Sequence, residues 1–476
     1  MLETTPSAQS SLLTRTIQRE IEQESPVRAV LIFGPRRIGK TTLLRQIIGQ
    51  NGCRWFNGDI EGSAADLRFQ SQGDVFNVLS QAPNIVIDEA HKIADIGTIV
   101  KVLVDANETL QNPCRIYLTS SSSFYLSTLK ESALGRVVSR KMWPFSLYEL
   151  AQRISWGTVN TYLERFLVYG LMPMACLEPE KARSYLEDYC EGYLLRDFYE
   201  QESVKHPQIV RKILVRLAHY VGSEISYDRL AQEVGISRNT VEDYVERMQA
   251  CSIIQICQSF SRNLANEMKK GKKIYFFDNG VRNALIGNFQ SLAGRNDAGA
   301  LWENFFFMER RKLIDTLRTG TQTYFWRTTG SNPREIDFLE VLDGKIEAFE
   351  CELSPQTKST RHAQYFLKNY PDSTVSVVHP QDCMQLFQDA YRSKSAAENL
   401  TSSTLDKKRS EENALAFVLL FDGRTHREPQ QSNATRRNIN VREQCRCCPN
   451  NRVFVHQRGI GRQTSRHGAE IKKPHL

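Results

Sequence analysis

The chain has 476 residues, 41% hydrophobic and 24% charged, an ordinary globular balance with length for about three domains. No apolar run approaches the ~18 to 20 residues of a membrane helix, and the polar start MLETTPSAQSSLLTRTIQRE lacks the apolar core of a signal peptide, so a cytoplasmic protein with no membrane partner is expected. The net charge of +8 lies in the tail, where the residues from Asp422 onward hold 12 Lys/Arg against 4 Asp/Glu; the nearly neutral remainder gives no general case for nucleic acid.

In chain order, RAVLIF at 28–33 reads as a buried strand running into a glycine loop, and NIVIDEA at 84–90 and RIYLTS at 115–120 as two more. Helical patterns such as 96–110 separate them, which argues for a mostly parallel sheet covered by helices on both faces over residues 1–145, ending near Trp143 and Pro144. Residues 146–222 form a helical segment with a break at Gly170 and Pro173. Over 223–290 two short amphipathic helices flank Val234, Gly235 and Ile236 and a β-prone run follows, the pattern of a winged helix-turn-helix. A second α/β unit spans 295–388: a helix at 300–313, strands at 323–327, 335–341 and 346–352, a helix at 358–369 and a strand at 374–378. The polar, basic tail at 392–476 reads as disordered apart from a short element at 414–421.

GPRRIGKTT, residues 34–42, matches G-x-x-x-x-G-K-[ST] in full. Gly34 and Gly39 let the backbone curl so that the amides of Pro35, Arg36, Arg37, Ile38 and their neighbours surround phosphate oxygens, apart from proline's missing N–H. The helix that follows adds its positive end. Lys40 is expected to reach the β- and γ-phosphates of ATP, Thr41 to ligate Mg2+, and Thr42 to complete the loop. In NIVIDEAHK, Asp88 stands at a strand's carboxyl end and is expected to hold the Mg2+ from the adjacent strand, with Glu89 polarising the attacking water. Thr119 is expected to touch the water or the γ-phosphate, and Arg136 to neutralise phosphate charge, in cis or from a neighbouring subunit.

These segments, GPRRIGKTTLL, NIVIDEAHK, LTSSSS, ESALGRV and WPFSLYEL, resemble bacterial and archaeal AAA-type P-loop ATPases that carry a C-terminal domain of unknown function. The resemblance continues through YCEGYLLRDFYE, LAQEVGISRNTVEDYVERM, KIYFFDNGVRNALIG, WENFFFMER and EIDF, covering residues 15–388. Ser120 or Ser121 stands where that family usually has glycine.

Ser237 is a good N-cap for the second helix of the winged-helix segment and would present Arg238, Asn239 and Thr240 to base edges. Glu242, Asp243 and Glu246 on the same helix repel phosphate, so a protein partner or a second copy of the chain is the alternative to DNA. Glu303, Asp337 and Glu350 have the order of a restriction-endonuclease-like core, a helix acid followed by acids on two strands that would hold Mg2+. Glu352 takes the place of the lysine, which opposes nuclease action unless Lys345 or Lys358 substitutes. Eight of the 11 cysteines are scattered from Cys53 to Cys383 and read as reduced thiols. Cys445, Cys447 and Cys448, with His456 and His467, lack the spacing of a zinc finger.

Overall fold

The computed structural model describes residues 13–121, 133–199, 207–261, 271–328, 333–354 and 361–392. The tail from 393, its 414–421 segment, the cysteine and histidine set and Lys358 lie outside them. Strands β1 (Ala29–Phe33), β2 (Cys53–Asn57), β3 (Asn84–Asp88), β4 (Arg115–Ser120) and β5 (Val137–Lys141) form a parallel sheet in the order β2-β3-β4-β1-β5. Alternation along the strands feeds two cores. Val30, Val86 and Tyr117 face one, while Leu31, Ile85 and Leu118 face the other, which is closed by Val100 and Leu103 of helix Ile96–Glu108.

The chain then folds as short helices, from Leu147–Ile154 to Arg196–Tyr199. The break falls at Gly170 (φ 70), where a Cβ would lie 2.0 Å from the Asp278 carboxylate. Asp278 is buried because it caps helix Asn279–Leu285 and accepts the Leu171 amide at 2.6 Å.

Next come helix Pro207–His219, β6 (Glu224–Ile225), helices Tyr227–Val234 and Arg238–Ala250, β7 (Ile254–Ser259) and β8 (Lys272–Phe276). Ser237 caps the second of these paired helices by accepting from the Thr240 amide at 3.1 Å, and Gly235 (φ 80) ends the first. Helix Ala298–Leu317 precedes β9 (Gln322–Arg327), β10 (Glu335–Leu342), β11 (Lys345–Cys351), helix Arg361–Asn369 and β12 (Thr374–Val378). Two domains were expected to meet between 290 and 295. Instead β6 to β12 build one seven-stranded sheet, β12-β11-β10-β9-β7-β8-β6, joined where β7 runs parallel to β9 at Gln258 opposite Tyr324. The chain remains helical to 392, where the tail was expected to begin, and Tyr391 stacks on Tyr148 at 4.1 Å.

Helix Ala298–Leu317 braces the first sheet as well as the second. Glu309 accepts the Leu147 amide at 2.8 Å, Lys312 donates to the Phe145 carbonyl at 2.8 Å, and Asp315 accepts from the Trp143 indole at 2.8 Å. Among the described residues no helix is long and apolar enough to cross a membrane.

Candidate nucleotide site

β1 ends at Phe33 and the chain turns at once. Gly34 sits at φ 153, where a Cβ would lie 2.1 Å from the Met142 carbonyl oxygen, and Gly39 sits at φ 95; neither place suits a side chain. Helix Lys40–Ile48 starts directly behind the loop, so its unpaired amides face the same space. Lys40 is 5% exposed, and its ammonium donates to the Gly34 and Pro35 carbonyls at 2.9 Å each. The result is a cradle of backbone around one buried cation.

The Thr41 hydroxyl donates to the Asp88 carboxylate, 3.1 and 3.2 Å from its two oxygens. The sequence reading put Asp88 on the strand next to the loop strand, but β4 lies between β1 and β3. The curl of the loop carries Thr41 across β4 to reach it. Thr119 on β4 also differs from expectation. Its hydroxyl donates to Asp88 and accepts the Glu89 amide at 3.0 Å. A hydroxyl has a single proton to give, so Thr119 positions the acidic pair and has no proton left for water or phosphate.

Glu89 sits at φ 50, a left-handed conformation that strains a residue with a side chain. Its carboxylate accepts from Ser121 at 3.0 Å and stands 3.9 Å from Arg36 of the loop and 3.4 Å from His91. Ser121, one of the two serines at which the resemblance would place glycine, thus gives a hydroxyl contact. Gly58 donates its amide to the Asp88 carbonyl at 2.8 Å and leaves no room for a Cβ, which would lie 2.4 Å from the Glu89 carbonyl oxygen.

A hollow of about 540 Å3 opens over the loop. Its far wall comes from the helical segment, with Arg153, Met174, Leu177, Tyr193 and Arg196, and Leu13 and Phe145 add apolar surface. The Arg37 guanidinium lies 4.2 Å from the Tyr193 ring centroid and donates to its hydroxyl at 2.5 Å. Arg15 braces the loop, donating to the Ile38 carbonyl at 2.9 Å, the Trp143 carbonyl at 2.6 Å and the Glu149 carboxylate at 3.0 Å. Sequence reading found none of these helical-segment residues, nor Arg15. Tyr193 and Arg196 lie within YCEGYLLRDFYE, yet nothing in that run says which part of the fold it faces.

Residues 27–151 match the family model described as an AAA domain. Models of two domains of unknown function also match, DUF8612 over 160–292 and DUF4143 over 298–395. Similar proteins include an uncharacterized protein of Mycobacterium tuberculosis, 26% identical over 386 residues, covering 79% of this chain and 82% of the relative. An uncharacterized protein of Methanocaldococcus jannaschii is 22% identical over 319 residues, 58% of this chain and 65% of that one. Among solved structures, a Walker-type ATPase of Pyrococcus abyssi is 14% identical and aligns with a TM-score of 0.41 over 58% of this chain and 97% of its own.

Within the matched residues 27–151, Arg136 stands just before β5, paired with Asp105. β5 runs parallel to β1, with Val137 opposite Ala29, so Arg136 is at the amino edge of the sheet and the phosphate loop at the carboxyl edge. Its expected action in cis is therefore excluded by placement.

The acidic residues of the C-terminal part separate into two groups. Glu303 and Asp337 do meet, but around a lysine. Lys273 of β8, 1% exposed, has its ammonium 2.9 Å from Glu303, 2.5 Å from Glu335 and 3.6 Å from Asp337. Tyr275 donates to Glu303 at 2.6 Å. A register shift in β10 between Ile336 and Leu339 turns Asp337 toward this cluster. Glu350 alternates with Phe349, so it shares the face of Ile346 and Ala348, which pack in the smaller core with Phe366. The expected set of Glu303, Asp337, Glu350 and Glu352 is not gathered on one face, and an ammonium stands where the set would have held a divalent ion. Lys345, exposed at the start of β11, does not supply that charge. Among the described residues no three His, Cys, Asp or Glu side chains form a metal-binding group.

Proposed function

We propose that the protein is a Mg2+-dependent ATPase switch in which the nucleotide state of the loop is passed to the helical segment, the winged helix and a degenerate nuclease-like C-terminal part. The observation that carries this reading is the meeting of Thr41 and Asp88 beside the Lys40 cradle. The cradle fits a triphosphate, since two glycines clear the backbone and the buried Lys40 ammonium lies against the loop. The loop amides and Lys40 would hold the phosphates, with Thr41 and Asp88 as the Mg2+ ligands. The ion would supply charge that offsets the charge growing on the phosphate oxygens. Glu89 would accept the proton of the attacking water, with Ser121 and Arg36 setting its direction. Contact of Arg37 with Tyr193 gives the helical segment a direct hold on the loop.

Two variants test the assignment. Lys40→Ala is expected to abolish ATP binding, and Glu89→Gln to keep binding but lose turnover by about 10²-fold or more. Turnover equal to wild type in the Glu89 variant refutes the assigned base.

A second reading, an ATP-regulated DNA-binding protein, draws on the Ser237-capped helix, whose Arg238 and Asn239 are exposed at its start. The Mg2+-dependent nuclease is not favoured, because the Lys273 ammonium already stands between Glu303 and Asp337, where the ion would sit.

A further inference from the structure

Two hollows that share part of their lining form one groove. The larger, about 690 Å3, lies along the end of helix Ala298–Leu317 and the start of β9. The smaller, about 440 Å3, lies between β5, β8 and the end of helix Arg238–Ala250. They share Ile256 and Gln258 of β7, so the groove crosses the strand that joins the paired-helix part to the C-terminal part. It is separate from the hollow over the phosphate loop and from Arg238 and Asn239.

Four cations line it, Lys141, Lys272, Arg311 and Arg318, against two acids, Glu246 and Asp315. Asp315 is already engaged by Arg311 at 2.9 Å and by the Trp143 indole at 2.8 Å. Glu246 stands toward the end formed by the paired helices. Lys272 is held by Glu242 at 3.3 Å, whereas among the described residues Lys141 and Arg318 form no ion pair. Gln249, Gln255, Gln258 and Gln322 add amides that both donate and accept, and Tyr324 adds a ring.

We propose that this groove binds single-stranded nucleic acid, with the cations on the phosphodiester backbone and the glutamines and Tyr324 on the bases. An elongated groove with a surplus of cations suits a linear polyanion. An acidic peptide has no use for the row of amides and the ring, whereas unpaired base edges and faces match both. The electrostatics agree. Burial pushes the Lys141 ammonium down to about 8, with Arg311 adding to the fall against the pull of Asp315.

The test is fluorescence anisotropy of the full chain with a labelled oligothymidylate, across a salt series. Wild type is expected to bind at low salt, with log affinity falling linearly against log salt. Arg318→Ala should flatten that slope by about 0.7. Combined Arg318→Glu and Gln258→Glu, both at exposed positions, should weaken binding about tenfold or more. Gln322→Lys should tighten it, so a poorly folded acidic variant does not leave the matter open. Arg238→Ala with Asn239→Ala, which tests the DNA reading above, should leave this binding intact. The inference is overturned by no binding at low salt, by loss only with the Arg238 and Asn239 pair, by failure of Gln322→Lys to tighten binding, or by polyglutamate competing as well as unlabelled oligonucleotide.

Discussion

At Lys273 a buried ammonium faces three carboxylates, and one cation cannot satisfy them all. Burial raises the Glu303 carboxyl from 4.5 to about 7, with Lys273 and Tyr275 opposing the rise and Asp337 adding to it. Between those two values the folded chain carries a proton that the unfolded chain has lost. Stability linked to Glu303 is thus fully present below pH 4.5 and disappears as pH rises through about 7. Glu303→Gln, which cannot titrate, is expected to flatten the decline of the melting temperature across that window. Calorimetry of the two proteins from acid to neutral pH measures it, and parallel curves would sink the assignment. The same residue explains why the acid was recognisable in the sequence and its chemistry was not. The counter-charge arrives from β8, thirty residues earlier, in the segment KIYFFDNGVRNALIG, which carries no acid-binding signal of its own.

Strand β2 and the turn after it hold the acidic pair from the side. Gly58 lies so close to Glu89 that any side chain must push the turn outward. Gly58→Ala is expected to displace Glu89 while leaving the loop from Gly34 to Thr42 in place, so turnover should fall by more than nucleotide affinity. Titration with a fluorescent ATP analogue alongside single-turnover hydrolysis separates the two, and equal losses would show that the contact supports the whole site. β2 itself was invisible in the sequence, as was β5. Both lie at sheet edges, where half-exposed residues such as Arg54 and Lys141 break the apolar run. β1, β3 and β4 are covered on both faces and therefore read as continuous apolar runs. The loop and the acidic pair were legible because each is one local segment with its own chemistry. The shift in β10 was not, because strict alternation sets Asp337 beside Glu350 and only a bulge parts them.

Across the whole molecule, helix Ala298–Leu317 ties the second sheet to the junction at 143–147, and Met142 packs its carbonyl against Gly34 of the loop. A change in the loop is therefore mechanically connected to the braced junction and, through Arg37 and Tyr193, to the helical segment. The remaining charge question is Arg136. It lies one sheet-length from its own loop and cannot approach it without unfolding β5. If it acts on phosphate, it acts on a second copy, and the pairing with Asp105 is then the resting contact of an exposed guanidinium. Mixing two inactive variants decides this. Arg136→Ala keeps an intact loop but supplies no guanidinium, and Lys40→Ala supplies the guanidinium but binds no nucleotide. Combined, a Lys40→Ala subunit can serve the loop of an Arg136→Ala subunit, so turnover should rise above that of either variant alone and depend on protein concentration. A mixture no faster than its parts, or an Arg136→Ala protein as fast as wild type, removes Arg136 from the chemistry and leaves it as a surface partner of Asp105.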